Sequence, residues 1–405
     1  MPKDQTEPRP GRRKRPKGAG AVVLRRELAA GARGHEGLPL VLDAVDLGDH
    51  FRVFLGNGTE TGRILPDGIE GSALPLEIRP LSGSALVSAR RHTSGSARLA
   101  LADGSGLELS PTPAEHDLFR DLNTILACRL EESAAQVAEG LAYHQRHHGL
   151  QAALIVNRLP ETGAAFAEDL RAHLDDVPLK IVVLDVPVPL GKPGLGPENH
   201  LFLAPDAPGK DRMDPPAPDP WRSPLAEGIV YEAVKWRFLA AARAVLTLDV
   251  TDILAARRPG GSSAFDLCAM AKNGVILLVG HRIYPWRVRA NREARFGDHI
   301  CRQFDQRRGI ARWGVAPAKA GLENSWRMVR VSYAKPEDSG TAHFWRAMAI
   351  RVPGAPSGAL APKTSLIEDD ALLALAEGPL GHDPVRAPVS KARPAPARAV
   401  EGGRT

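Results

Sequence analysis

Cysteine is scarce in this 405-residue chain. Cys128, Cys268 and Cys301 stand alone. They form neither a metal-type pair nor a disulfide framework, which suits a reducing compartment. Long apolar runs are missing too. No stretch of 18 or more apolar residues occurs, so no membrane-spanning helix is expected. The basic N-terminus has no apolar segment behind it, which excludes a secretory signal of the usual form. These absences lead to a cytoplasmic expectation.

The net charge of +6 is unevenly placed. Residues 1–26 carry +7 and residues 379–405 carry +3, so subtracting both from +6 leaves −4 on residues 27–378. The basicity belongs to the ends, which argues against the folded part being a specific nucleic-acid binder. The run Arg9 to Lys17 is expected to be a disordered, solvated tail. Its charge suits peripheral contact with an anionic membrane at the inner face.

Patterning divides the chain. Residues 1–20 form the basic tail, and residues 21–112 read as a small antiparallel β domain. Phe51, Val53 and Leu55 alternate, Asn57-Gly58 is a hairpin-turn signal, and Asp103 to Gly106 joins two further strands. Ser110-Pro111-Thr112-Pro113 marks a boundary. From residue 118 to 352 strands alternate with helices: strands at Asn123–Cys128, Ala152–Val156 and Lys180–Asp185, and a helix capped by Ser133 and closed by Gly149. That rhythm implies right-handed βαβ units and a mostly parallel sheet. Eleven prolines in residues 186–224 interrupt it, the signature of a lid, binding loop or disordered insertion. A helix over 225–243, one capped by Ser262, a strand at Val275–Val279 and a final helix at Leu366–Glu377 follow. Residues 353–405 are assigned to this last helix and a disordered tail.

The stretch L-T-L-D-V-T-D-I-L, Leu246 to Leu254, organises this region. An apolar strand there ends in two acids, Asp249 and Asp252. Carboxylates at the carboxyl end of an α/β strand can hold a divalent cation that in turn holds phosphate oxygens. The plainer reading is a strand followed by Asp caps of a short helix. His144 and His148 share a helix face, but no Glu lies between them as a zinc hydrolase motif requires, so packing is expected of His144. The arginines of residues 281–302 suit either a clamp for a diphosphate or an anionic acceptor, or a solvated face, and Tyr284-Pro285-Trp286 either a sugar platform or core.

Taken together, these motifs resemble a family-2-type glycosyltransferase of the GT-A fold over roughly residues 120–350. The helix A-E-G-L-A-Y-H supplies Glu139, Tyr143 and His144 in that family's pattern, and the next strand ends in Asn157 with Val156 where an acid is usual. The metal motif appears as D-V-T-D-I-L, with Asp249 kept, Thr251 where a second Asp belongs, and Asp252 in the glutamate position. Arg312 to Ala320 and Thr341 to Trp345 resemble later elements. The resemblance implies an α/β fold: a GT-A-like, mostly parallel sheet flanked by helices and preceded by the small antiparallel β domain.

The activity implied is transfer of a sugar from a nucleotide-sugar donor to a glycan or lipid-linked acceptor. A Mn²⁺ or Mg²⁺ ion on Asp249 and Asp252 would stabilise the leaving diphosphate. Arg129, Glu131, Asn157 and Asp249 are the residues assigned to the donor. Asp266 and Asp298 are the carboxylates available as the base that deprotonates the acceptor. The substitutions at 156 and 251 leave an alternative open: a degenerate GT-A module that binds or scaffolds without catalysis.

Overall fold

The computed structural model describes residues 20–28, 41–56, 61–70, 72–81, 83–91, 97–226, 228–256, 260–305 and 309–388. The Arg9–Lys17 run, the Asn57-Gly58 turn and the end of the C-terminal tail lie outside those residues.

Nine strands form the main sheet: β1 (Val22–Glu27), β2 (Asn123–Arg129), β3 (Ala152–Asn157), β4 (Lys180–Asp185), β5 (Ala244–Thr247), β6 (Asp252–Leu254), β7 (Val275–Ile283), β8 (Ile310–Val315) and β9 (Glu337–Ala347). Their spatial order is β1-β4-β3-β2-β5-β8-β7-β9-β6. The first five run parallel. β8 then pairs antiparallel with both β5 and β7, β9 runs parallel to β7, and β6 closes the edge antiparallel to β9. The chain is therefore mixed α/β, with a large, mostly parallel sheet. β3 is buried at every position, as a strand covered on both faces must be.

Helices α1 (Ala134–His148) and α2 (Gly163–His173) connect β2, β3 and β4. Ser133 caps α1 in a reciprocal capping box with Gln136, and Gly149 closes it at φ 73°, as its sequence implied. A short α3 (Ile229–Val234) runs straight into a π-helical turn, Lys235–Leu239. That turn replaces the single helix expected over residues 225–243. α4 (Ala264–Met270) is capped by Ser263, one residue beyond the expected cap. α5 (Asp370–Glu377) is capped by Asp369, because Leu366–Glu368 instead pairs as a short strand with Cys301–Gln303.

The small β domain has a five-stranded and a three-stranded sheet. Phe51, Val53 and Leu55 face the core between them, while Phe54 joins the core shared with α3 and the large sheet. Both faces of the His50–Leu55 strand are therefore covered, and Arg52 lies 3.7 Å from the Trp236 ring centroid. Val22–Glu27 does not belong to this domain, contrary to the division at residue 21. It pairs with β4 along its whole length and forms the edge of the large sheet.

Candidate functional site

β5 carries Val245 and Leu246 through the core and releases the chain at Asp249, beyond the carboxyl ends of the parallel strands. Asp249 lines a cavity of 250 Å³. Its Oδ2 lies 3.1 Å from Arg351, 3.5 Å from Arg346 and 3.8 Å from Arg312. Arg158, just after β3, also lines the cavity. Burial alone would raise the Asp249 pKa; the fields of Arg346, Arg351, Arg312 and Arg158 outweigh it and hold the group ionised, below the ordinary carboxylate range.

Asp252 has a different fate. Arg346 grips both of its oxygens at 2.7 Å, and the Asp249 backbone N–H donates to it at 2.9 Å. It is a buried ion-pair partner that fixes the turn leaving β5. This donor set does not suit Mn²⁺ or Mg²⁺. One carboxylate is fully occupied, the other is ringed by guanidinium groups that repel a cation, and Thr251 is completely buried. Among the described residues no group of three or more His, Cys, Asp or Glu side chains could hold a metal ion. The cation expected on Asp249 and Asp252 is therefore not supported by their surroundings.

The other expected residues separate. Arg129 lines the cavity but is buried, bonded to Asn157 Oδ1 at 2.8 Å and Thr162 at 2.9 Å, and stacked 3.9 Å from the centroid of Phe166. Asn157 is wholly buried and also reaches Asp185 at 2.6 Å, which holds Arg25 of β1. Arg129–Asn157–Asp185–Arg25 is thus a polar chain that ties four strand ends together. Gly163 makes room for it, since a Cβ there would lie 2.0 Å from Asp185 Oδ1. Glu131 faces an adjoining cleft and holds Arg222 of the Pro-rich segment at 2.6 Å.

The two carboxylates expected to act as base are misplaced. Asp266, in the first turn of α4, accepts the Ser263 N–H and pairs with Arg243, which also binds Asn123 at the start of β2, so it sits at the opposite end of the strands from Asp249. Asp298 caps a turn through the Arg295 N–H and pairs with His382 at 2.8 Å. Neither lines the cavity.

Glu132 does. It is the carboxyl group there with no ion-pair partner among the described residues. The Leu130 N–H donates to its carboxylate at 2.8 Å. Burial, then the charge of Asp249, pushes its pKa up to about 7. The sequence points to its neighbour Glu131 instead, because adjacent acids before a helix cap look alike until exposure is known. Tyr231 and Cys128 complete the wall, both pushed up in pKa by burial and so un-ionised at neutral pH. The Pro-rich insertion forms the remaining wall: Glu198 binds Arg158 at 2.6 Å and Arg351 at 3.0 Å, and Lys192 faces inward.

The helical Glu-Tyr-His pattern has a structural role. Tyr143 donates to the Leu254 carbonyl at 2.8 Å, and His144 Nε2 accepts the Leu254 N–H at 3.1 Å. Together they hold β6, the strand that carries Asp252. This bond requires an unprotonated Nε2, and burial keeps the His144 pKa well below its usual value. Glu139 binds Arg295 at 2.7 Å. Tyr284 is fully buried rather than a stacking platform.

Arg129, Arg158, Lys192, Arg312, Arg346 and Arg351 face Glu132, Glu198 and Asp249 around the cavity. Counting Asp252 with its partner Arg346, two positive charges remain in excess. A partly enclosed site of that kind attracts anions, phosphate oxygens above all. No protein-family model matches this chain, and no curated protein matches it.

Proposed function

We propose that the Asp249 cavity receives the diphosphate of a nucleotide-sugar donor. On this reading the protein is a glycosyltransferase of GT-A arrangement that stabilises the leaving group with guanidinium groups. One observation carries the reading: four arginines from separate elements converge at the carboxyl end of a central parallel strand and leave the cavity positively charged. The order and spacing of the sequence motifs support the transferase class. Arg312 is the group best suited to a ligand, since among the described residues it donates to its neighbour's carbonyl at 3.0 Å and meets Asp249 at a loose 3.8 Å.

In the transfer step the acceptor hydroxyl oxygen bonds to the anomeric carbon as the bond from that carbon to the diphosphate breaks. The hydroxyl proton passes to Glu132, whose raised pKa matches a base working near neutrality. The departing diphosphate takes the bonding electron pair, and its added charge falls on Arg312 and Arg351. The acceptor expected is a glycan or glycolipid.

The test is thermal stabilisation by UDP and GDP in the presence of EDTA. Stabilisation without a divalent cation is expected, and Arg312→Ala should remove most of it. Stabilisation that appears only with Mn²⁺ would sink the arginine reading. The ion pairing of Asp249 favours a second reading, a module that binds a sugar nucleotide without transferring the sugar. Nucleoside diphosphate binding without transfer or hydrolysis of any sugar nucleotide would select it.

A further inference from the structure

Two further openings continue from the Asp249 cavity. A small cleft beside Asn199 shares Leu130, Glu132, Glu198 and Arg351 with that cavity. The same cleft shares Gln136, Glu293 and Pro353 with a groove of 610 Å³. Glu132 therefore stands where the cavity meets the path to the groove.

The groove has a mixed chemistry. Val288, Ala294, Ala349 and Ala355 supply an apolar floor, and Arg287, Arg289, Arg292 and Lys363 a cationic rim, against the single carboxylate Glu293. Ser133 already donates to Glu293 at 2.8 Å. Arg289 turns towards Asp383 at 2.9 Å in an exposed pair of the kind that contributes little. Arg287 and Arg292 have no ion-pair partner among the described residues. The loop is shaped to present them: Asn291 between them adopts φ 59°, a left-handed conformation that asparagine tolerates. Four cations around one concave opening, in a folded region that is negative in aggregate, form a local anion site.

We propose that this groove is the acceptor site and that it selects an anionic saccharide, one bearing a phosphate or a carboxylate. Its charge rests on Arg287 and Arg292, its ring packs on the apolar floor, and its hydroxyl reaches along the cleft to Glu132. This assignment rests on the donor reading of the Asp249 cavity. The concave, floored shape fits a sugar ring better than the flat surface of a bilayer.

Isothermal titration of the full chain with glucose 6-phosphate and with glucose tests it. The phosphate should bind at least tenfold more tightly than glucose and more weakly as salt rises. Arg287→Ala combined with Arg292→Ala should remove that preference while UDP binds as before. The phosphate and UDP should also bind together. Equal binding of glucose and its phosphate overturns the proposal, as does competition between the phosphate and UDP. So does attachment to phosphatidylglycerol vesicles through Arg287 and Arg292 without hexose phosphate binding. If hexose phosphate binds but no nucleoside diphosphate does, the donor reading fails and the acceptor role with it, while the charge selectivity of the groove stands.

Discussion

Asp249 and Asp252 lie three residues apart in one motif, yet their surroundings give them separate roles. Asp252 is wholly buried against the bidentate Arg346. Asp252→Asn should cost about 3–5 kcal/mol of stability in chemical denaturation, because it leaves a buried guanidinium unpaired. Asp249→Asn should instead tighten UDP binding by roughly tenfold, about 1.4 kcal/mol, since the carboxylate competes with the ligand for the same arginines. A site built on a cation predicts the reverse, weaker binding in that variant. Titration calorimetry in EDTA separates the two.

Glu132 makes a second prediction at the residue scale. Its folded pKa of about 7 lies above the 4.5 of an ordinary glutamate. Between those values the native state keeps a proton that the unfolded chain has released. Its contribution to stability is therefore complete below pH 4.5, falls as pH rises, and is lost above about 7. Glu132→Gln should flatten that slope in denaturation midpoints measured across the window. In a transfer assay the same variant should lose roughly a hundredfold or more in rate and the rise in rate near pH 7. An unchanged profile would remove Glu132 from the proton path.

Among the elements, the π-helical turn Lys235–Leu239 joins the two parts of the molecule. Arg237 binds both oxygens of Asp43, at 2.6 and 3.0 Å, and reaches Ala44, Thr112 and Pro113 of the small β domain. Lys235 is fully buried on Glu232 and on the carbonyls of Leu322 and Asn324. Arg237→Ala should destabilise by about 3–5 kcal/mol, by stranding Asp43, and loosen the small domain. Limited proteolysis should then cut first near residues 110–115.

Element by element, legibility followed local chemistry. The capping box at Ser133, the left-handed Gly149 and the apolar runs of β2, β3 and β4 are written in adjacent residues, and they appear where their patterns put them. Val22–Glu27 joins a different sheet from the one its place in the chain implies, because a six-residue strand carries no sign of its partner. The π-helical turn is unreadable for the same reason: beyond the local Glu232, its two cations are explained by Asp43 and two carbonyls far along the chain.

For the whole molecule, the question is how the Pro-rich insertion sits on the sheet. It is not a free loop. Glu198 bridges Arg158 and Arg351, Arg158 donates to the Ser223 carbonyl, and Arg222 holds Glu131. Glu198→Gln should weaken this closure. Hydrogen exchange should rise across residues 191–224 while the amides of β2–β5 stay protected. Exchange rising equally in the sheet would mean that the segment is an integral part of the fold and not a cover. Among the described residues no helix is long and apolar enough to cross a membrane.

The sequence alone determined the alternation of strands and helices, the main caps and the place of Asp249 at a strand end. Each depends on periodicity or on contacts within a few residues. Only the tertiary structure decided what surrounds that acid. Arg158, Arg312, Arg346 and Arg351 arrive from four elements because β8 and β9 run alongside β5 and β6, and Asp252 is lost to Arg346 by that same pairing. A carboxylate's role depends on burial and on the charges within a few ångströms, and nearness along the chain specifies neither.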